Sequence, residues 1–119
     1  MIVGHPLRDR LTDRVAAGDE FCLTAMVVTE TVFGFRMLRR ASQNEREWAI
    51  WRPTLRFIDI SETDALFAAT LQVTLRRQGR QLGTIDALIA AVALRANRIL
   101  LTTDKDFAPI PNLRTENWV

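Results

Sequence analysis

The sequence predicts an α/β fold, with a mostly parallel central sheet covered by helices on both faces in three α/β/α layers. Short apolar runs at Phe21-Cys22-Leu23, Leu55 to Ile60 and Ile99 to Thr102 alternate with stretches of helical periodicity, the order that builds crossover connections and parallel strands. Most of those helical stretches are bounded by residues that start or stop helices. The chain has 119 residues, 48% hydrophobic and 25% charged, which suits one domain with a real core and leaves no room for two.

Taken in order, Leu7 to Ala17 can form a short helix ended by Gly18, a natural left-handed terminator. Phe21 to Leu23 is a short buried strand. Thr24 caps a helix running to about Arg40, with Met26, Val27, Phe33, Met37 and Leu38 on its apolar side. Gln43 to Trp51 forms another helix, stopped before Pro53. Leu55 to Ile60 alternates as a strand does. Ser61 and Asp64 make a capping box, with Asp in place of the usual Glu or Gln. The helix they open carries Ala65, Leu66, Ala69, Val73 and Leu75, and Gly79 ends it. Thr84 caps the next helix, Ile85 to Ala96, which is apolar on nearly every side and so belongs at the centre. Ile99 to Thr102 reads as a strongly buried strand, and Leu113 to Glu116 as the last one.

Charge says little about partners. Sixteen basic residues against fourteen acidic ones give a net charge of +2. The arginines gather in two clusters, Arg36/Arg39/Arg40 and Arg76/Arg77/Arg80. Each sits near a helix end, where a cation also complements the dipole, so solvated helix ends and a phosphate-binding surface stay open as alternatives. Cys22 is the lone cysteine, which excludes an internal disulfide and suits a reducing compartment. Its apolar neighbours make it a structural thiol. His5 has no second histidine to pair with in a metal site. There is no signal-peptide stretch and no apolar run long enough for a bilayer, so a cytoplasmic protein is expected.

Three acids stand out because sites in parallel sheets form at the carboxyl ends of strands. Glu30 lies within the helix opened by Thr24 and shares a face with Gly34, a costly residue in mid-helix, which suggests that something approaches closely there. Asp86 lies in the first turn of the most apolar helix, where a helix-dipole role is the alternative. Asp104 directly follows the strand Ile99 to Thr102, where a turn role is the alternative. Asp106 suits a turn better than Asp104 does. A set of carboxylates without His or Cys points to a hard divalent cation, Mg²⁺ or Mn²⁺, and to phosphodiester hydrolysis.

The segments Leu23-Thr24-Ala25 with Glu30 and Gly34, Arg76-Arg77-Gln78-Gly79 leading to Gly83-Thr84-Ile85-Asp86-Ala87-Leu88-Ile89-Ala90-Ala91, and Leu101-Thr102-Thr103-Asp104-Lys105-Asp106-Phe107 followed by Leu113 to Trp118 resemble a PIN domain, specifically the VapC toxin ribonucleases of bacterial toxin–antitoxin pairs. The resemblance spans nearly the whole chain in the right order. It implies an α/β/α fold, Mg²⁺- or Mn²⁺-dependent RNA cleavage, a homodimer and inhibition by a VapB-like antitoxin. It makes Glu30, Asp86 and Asp104 the catalytic and metal-binding acids, with Thr102, Thr84 and Asp106 supporting them. Family members begin with an apolar strand ending in a metal-binding Asp. Here Met1-Ile2-Val3-Gly4-His5-Pro6-Leu7 resembles the segment just after that motif, and Asp9 and Asp13 fall in the following helix. The usual first strand and first acid are therefore missing from the pattern, and weak cation binding with poor cleavage is expected. Two functions follow: a metal-dependent endoribonuclease toxin, or a catalytically inactive PIN-like module that binds RNA or an antitoxin.

Overall fold

A computed structural model describes residues 14, 16–18, 21–102 and 104–117. Arg14 and Ala16 are helical and Gly18 stands at φ +95°, the left-handed conformation expected of a terminator. The rest of the helix expected over Leu7 to Ala17, the segment at Met1 to Leu7, His5 and Trp118 lie outside the described residues. The chain divides into two compact units, Met1–Ile58 and Asp59–Val119.

In the first unit, β1 (Phe21–Leu23) leads through Thr24 into α1 (Ala25–Arg36), then α2 (Ala41–Trp51) and β2 (Leu55–Phe57). The Thr24 hydroxyl accepts from the Val27 N–H at 3.4 Å, as the sequence implied. β1 and β2 pair in parallel with Phe21 opposite Leu55, and α1 and α2 form the crossover that such pairing requires. α1 stops four residues before Arg40. Of its expected apolar side, Met26 and Val27 are half-buried, whereas Phe33 and, past the helix end, Met37 and Leu38 are 67%, 72% and 56% exposed. Where α1 and α2 meet, the Phe35 and Trp48 rings lie 6.2 Å apart, Asn44 Nδ2 donates to the Phe35 carbonyl, and Arg36 Nε reaches Glu45 Oε1 at 2.5 Å. That ion pair is open to water and contributes little. Cys22 is half-buried.

The second unit carries α3 (Glu62–Arg77), α4 (Thr84–Arg95), β3 (Leu100–Leu101) and β4 (Thr115–Glu116), with β3 and β4 parallel. Its core is continuous. Ala68, Leu71 and Leu75 from α3 meet Ala87, Ala90 and Ala91 from α4, together with Leu82, Phe107 and Ile110. The three alanines are fully buried. Small side chains at a helix–helix contact let the two backbones approach closely. The expectation that the second of these helices is central therefore holds.

Both helices of this unit end in the same way. At the end of α3 the Arg80 N–H donates to the Leu75 carbonyl (2.9 Å) and the Gly79 N–H to the Arg76 carbonyl (3.0 Å), with Gly79 at φ +75°. At the end of α4 the Arg98 N–H reaches the Ala93 carbonyl (2.8 Å) and the Asn97 N–H the Leu94 carbonyl (3.2 Å), with Asn97 at φ +54°. Each is a Schellman motif closed by the residue types that tolerate positive φ.

Two expectations change here. The strand expected over Leu55 to Ile60 ends at Phe57. The Ile58 N–H still bonds the Leu23 carbonyl, but the Asp59 carbonyl accepts from Arg95 Nη2 at 3.0 Å instead of continuing the ladder. The strand expected to be strongly buried over Ile99 to Thr102 is only Leu100–Leu101, with Ile99 45% and Leu101 40% exposed. Among the described residues β4 is its one neighbour. No helix among them is long and apolar enough to cross a membrane.

Candidate active site

Asp86, one of the candidate acids, is half-buried. It occupies the first turn of α4, and the same helix buries Ala87, Ile89, Ala90, Ala91, Val92 and Ala93. Burial of that face fixes the backbone that carries the Asp86 carboxylate, and a catalytic or ligating acid needs such a fixed support. Thr84 does not cap this helix. Gly83 takes the N-cap position without a side-chain bond, and the Thr84 hydroxyl accepts from Gln72 Nε2 at 3.3 Å. The reason is tertiary: Gln72, on α3, also donates to the Leu82 carbonyl at 3.0 Å, so one amide ties the loop and the start of α4 to the neighbouring helix. Local sequence carries no sign of this contact across twelve positions.

Thr102, Asp104 and Asp106 form one polar turn after β3. The Asp104 N–H donates to the Thr102 hydroxyl at 3.1 Å, and Asp104 Oδ1 accepts from the Asp106 N–H at 2.8 Å, capping a single 3₁₀ turn. The bond leaves lone pairs on the exposed Asp104 carboxylate while fixing its direction. Asp106 contributes its backbone to this turn.

Glu30 belongs to the first unit and Asp86 and Asp104 to the second. Glu30 is exposed on α1. Among the described residues no atom comes within 4 Å of where a Cβ on Gly34 would lie, so the close approach expected beside Glu30 is not present. Within either unit, no three described His, Cys, Asp or Glu side chains gather closely enough to hold a metal ion. Asp86 and Asp104 each carry hard oxygen donors, the ligand type that Mg²⁺ takes alongside water and phosphate.

A fourth acid has a different task. Asp64 is 1% exposed. Its Oδ1 accepts from Arg95 Nε at 2.6 Å, and its Oδ2 from the Ser61 N–H at 3.0 Å and hydroxyl at 3.1 Å. The Ser61 hydroxyl accepts from the Asp64 N–H, completing the capping box expected from sequence. The Arg95 hydrogen bond holds the carboxyl below its ordinary value of 3.8, burial opposes this, and the Ser61 bonds assist it. Arg95 is pushed up in turn. Sequence reading recognised Asp64 as a cap and missed its pairing with Arg95. Asp in place of the longer Glu was the available signal, because the short side chain keeps the carboxylate close to the helix end, where it can be buried.

The sequence profile of the PIN domain matches residues 1–113. The chain is 30% identical over 105 residues to ribonuclease VapC2 of Rickettsia felis, covering 87% of this chain and 78% of that one. It is 28% identical over 103 residues to the tRNA(fMet)-specific endonuclease VapC of Shigella flexneri, covering 83% and 76%. Among solved structures, VapBC2 of Rickettsia felis bound to a DNA fragment from its promoter superposes with a TM-score of 0.79 at 28% identity, over 96% of this chain and 86% of that one. DNA-bound VapBC from Salmonella typhimurium gives 0.77 at 20% identity, over 98% and 86%, a likeness of fold alone.

Proposed function

The chain belongs to the PIN domain family, and on that premise we propose that it is the metal-dependent endoribonuclease toxin of a type II toxin–antitoxin pair, hydrolysing RNA phosphodiester bonds. The observation that carries this reading is Asp86, a half-buried carboxylate in the first turn of the most deeply packed helix, in a chain 30% identical to a protein named ribonuclease VapC2. Asp86 and Asp104, both in the second unit, would hold Mg²⁺ or Mn²⁺. When bound, the cation supplies water activation and neutralises charge developing on the phosphate.

The chain's own residues supply position. The packed alanine face of α4 fixes the backbone that carries Asp86, Gln72 holds Thr84 two residues before it, and the bond from the Asp106 N–H orients the Asp104 carboxylate. The partners consistent with this reading are an RNA substrate, a VapB-like antitoxin and a second copy of the chain, in the cytoplasm. The relatives seen as VapBC complexes support the antitoxin.

The test is RNA cleavage followed across a Mg²⁺ and Mn²⁺ titration, for the wild-type chain and for Asp86→Asn, which removes charge and keeps shape. The expected result is cleavage that rises with metal and falls on the order of 10²-fold or more in the variant. Equal cleavage by both proteins would reduce Asp86 to a helix-dipole acid. RNA bound and left uncut at every metal concentration would make the chain a binding module.

A further inference from the structure

We infer that Arg76, Arg77 and Arg80 form the surface that grips the phosphates of the RNA strand leading to the Asp86 end of α4, an inference that rests on the ribonuclease reading above. Residues 65 to 85 contain these three arginines and no Asp or Glu. All three side chains are exposed. Among the described residues, none of their guanidinium groups has an ion pair or hydrogen bond. The helix end explains only part of this charge, because a helix C-terminus carries the equivalent of about half a negative charge. Three arginines exceed that several-fold, and Arg80 lies beyond the helix.

The cluster is also held in place. The Schellman bonds of Gly79 and Arg80 fix the backbone that carries it, and Leu75 and Leu82, 1% and 4% exposed, anchor the two sides of the loop. Gln72 and Arg76 are four residues apart on one helix face, so their Cβ atoms lie about 6 Å apart. Gln72 touches Thr84, two residues before Asp86. The arginines therefore begin one helical turn from the residue that contacts the start of α4. A phosphodiester strand held by arginine forks there would pass the candidate catalytic acid, and arginine matches phosphate with paired hydrogen bonds that lysine cannot make.

The experiment measures binding apart from cleavage. A short fluorescein-labelled single-stranded RNA is titrated by anisotropy in EDTA at several salt concentrations, with wild type, the Arg76→Gln/Arg77→Gln/Arg80→Gln variant, and the corresponding triple Lys variant. Each phosphate contact to a single strand contributes about 0.7 to the slope of log K against log salt. The Gln variant should thus lose about 2 units of slope and bind more weakly at low salt, while the Lys variant keeps the slope. The sites are exposed, so the Lys variant should melt with wild type and the Gln variant slightly below it, by the small loss of helix-end charge. An unchanged slope in the Gln variant, with wild type cutting RNA, would overturn the inference and leave the ribonuclease reading intact. A lost slope with no cleavage at any metal concentration would support the arginine surface and sink the nuclease reading. Fluorescein-labelled polyglutamate provides the remaining control. If the Gln variant loses polyglutamate binding and keeps RNA binding, the arginines serve an acidic protein and the inference fails.

Discussion

In the second unit, α3 and α4 bury leucines and alanines against each other, and Asp64 joins the start of one helix to the end of the other through Arg95. In the first unit, neither α1 nor α2 has a fully buried residue, and the described buried side chains are Leu23, Thr24 and Leu55. Both units have apolar residues at helical spacing. Burial depends on a second apolar face of matching shape, and the second unit has one. Phe33, Met37 and Ile50, each at least two-thirds exposed, are the large apolar side chains that a partner would cover. On the proposed reading, the well-packed unit would carry the candidate acid Asp86 and the less covered unit would offer apolar side chains to a partner.

Substitutions can break or sharpen this contrast. The largest effect is expected at Leu75, which is 1% exposed. Leu75→Ala should cost about 2–5 kcal/mol through lost burial and the cavity left behind, read from the urea midpoint. A loss below about 1 kcal/mol would show that the core of the second unit is loosely packed.

Asp64→Ala should come next, at about 1.5–3 kcal/mol, since it removes charged hydrogen bonds and a cap. The cost stays below that of stranding a buried charge because the Arg95 side chain is 42% exposed. The pH dependence has a definite sign. A carboxyl held below its unfolded value of 3.8 adds stability that is present above that pH and lost as pH falls through the folded value. Wild type should therefore lose stability more steeply than Asp64→Ala below about pH 4, measured by thermal melts across an acid series.

Gly79→Ala should cost about 1 kcal/mol, the penalty of a left-handed conformation alone, because no described atom lies within 4 Å of the added Cβ. A larger loss would mean the Schellman turn also governs packing. Phe33→Ser should have the smallest effect on folding, within about 0.5 kcal/mol, and a visible effect on association. Light scattering at micromolar concentration should give a homodimer for wild type and a smaller mass for the variant. A wild-type monomer would remove the second copy from the proposed partners.

Local chemistry determined much of the fold from sequence alone. Thr24, the Ser61–Asp64 box, Gly18 and Gly79 act through bonds and φ angles within a few residues, so each could be read before any packing was known. The apolar run around Asp86 likewise announced a central helix, because a helix apolar all round has to be enclosed. The candidate acids could be named, since Asp86 and Asp104 owe their positions to a helix start and a strand end. Only the tertiary structure decided which apolar faces found a partner, why Gly83 rather than Thr84 occupies the cap, and where Asp64 meets Arg95 across thirty-one positions. Those outcomes depend on what lies opposite each residue in space, and periodicity along the chain contains no information about that.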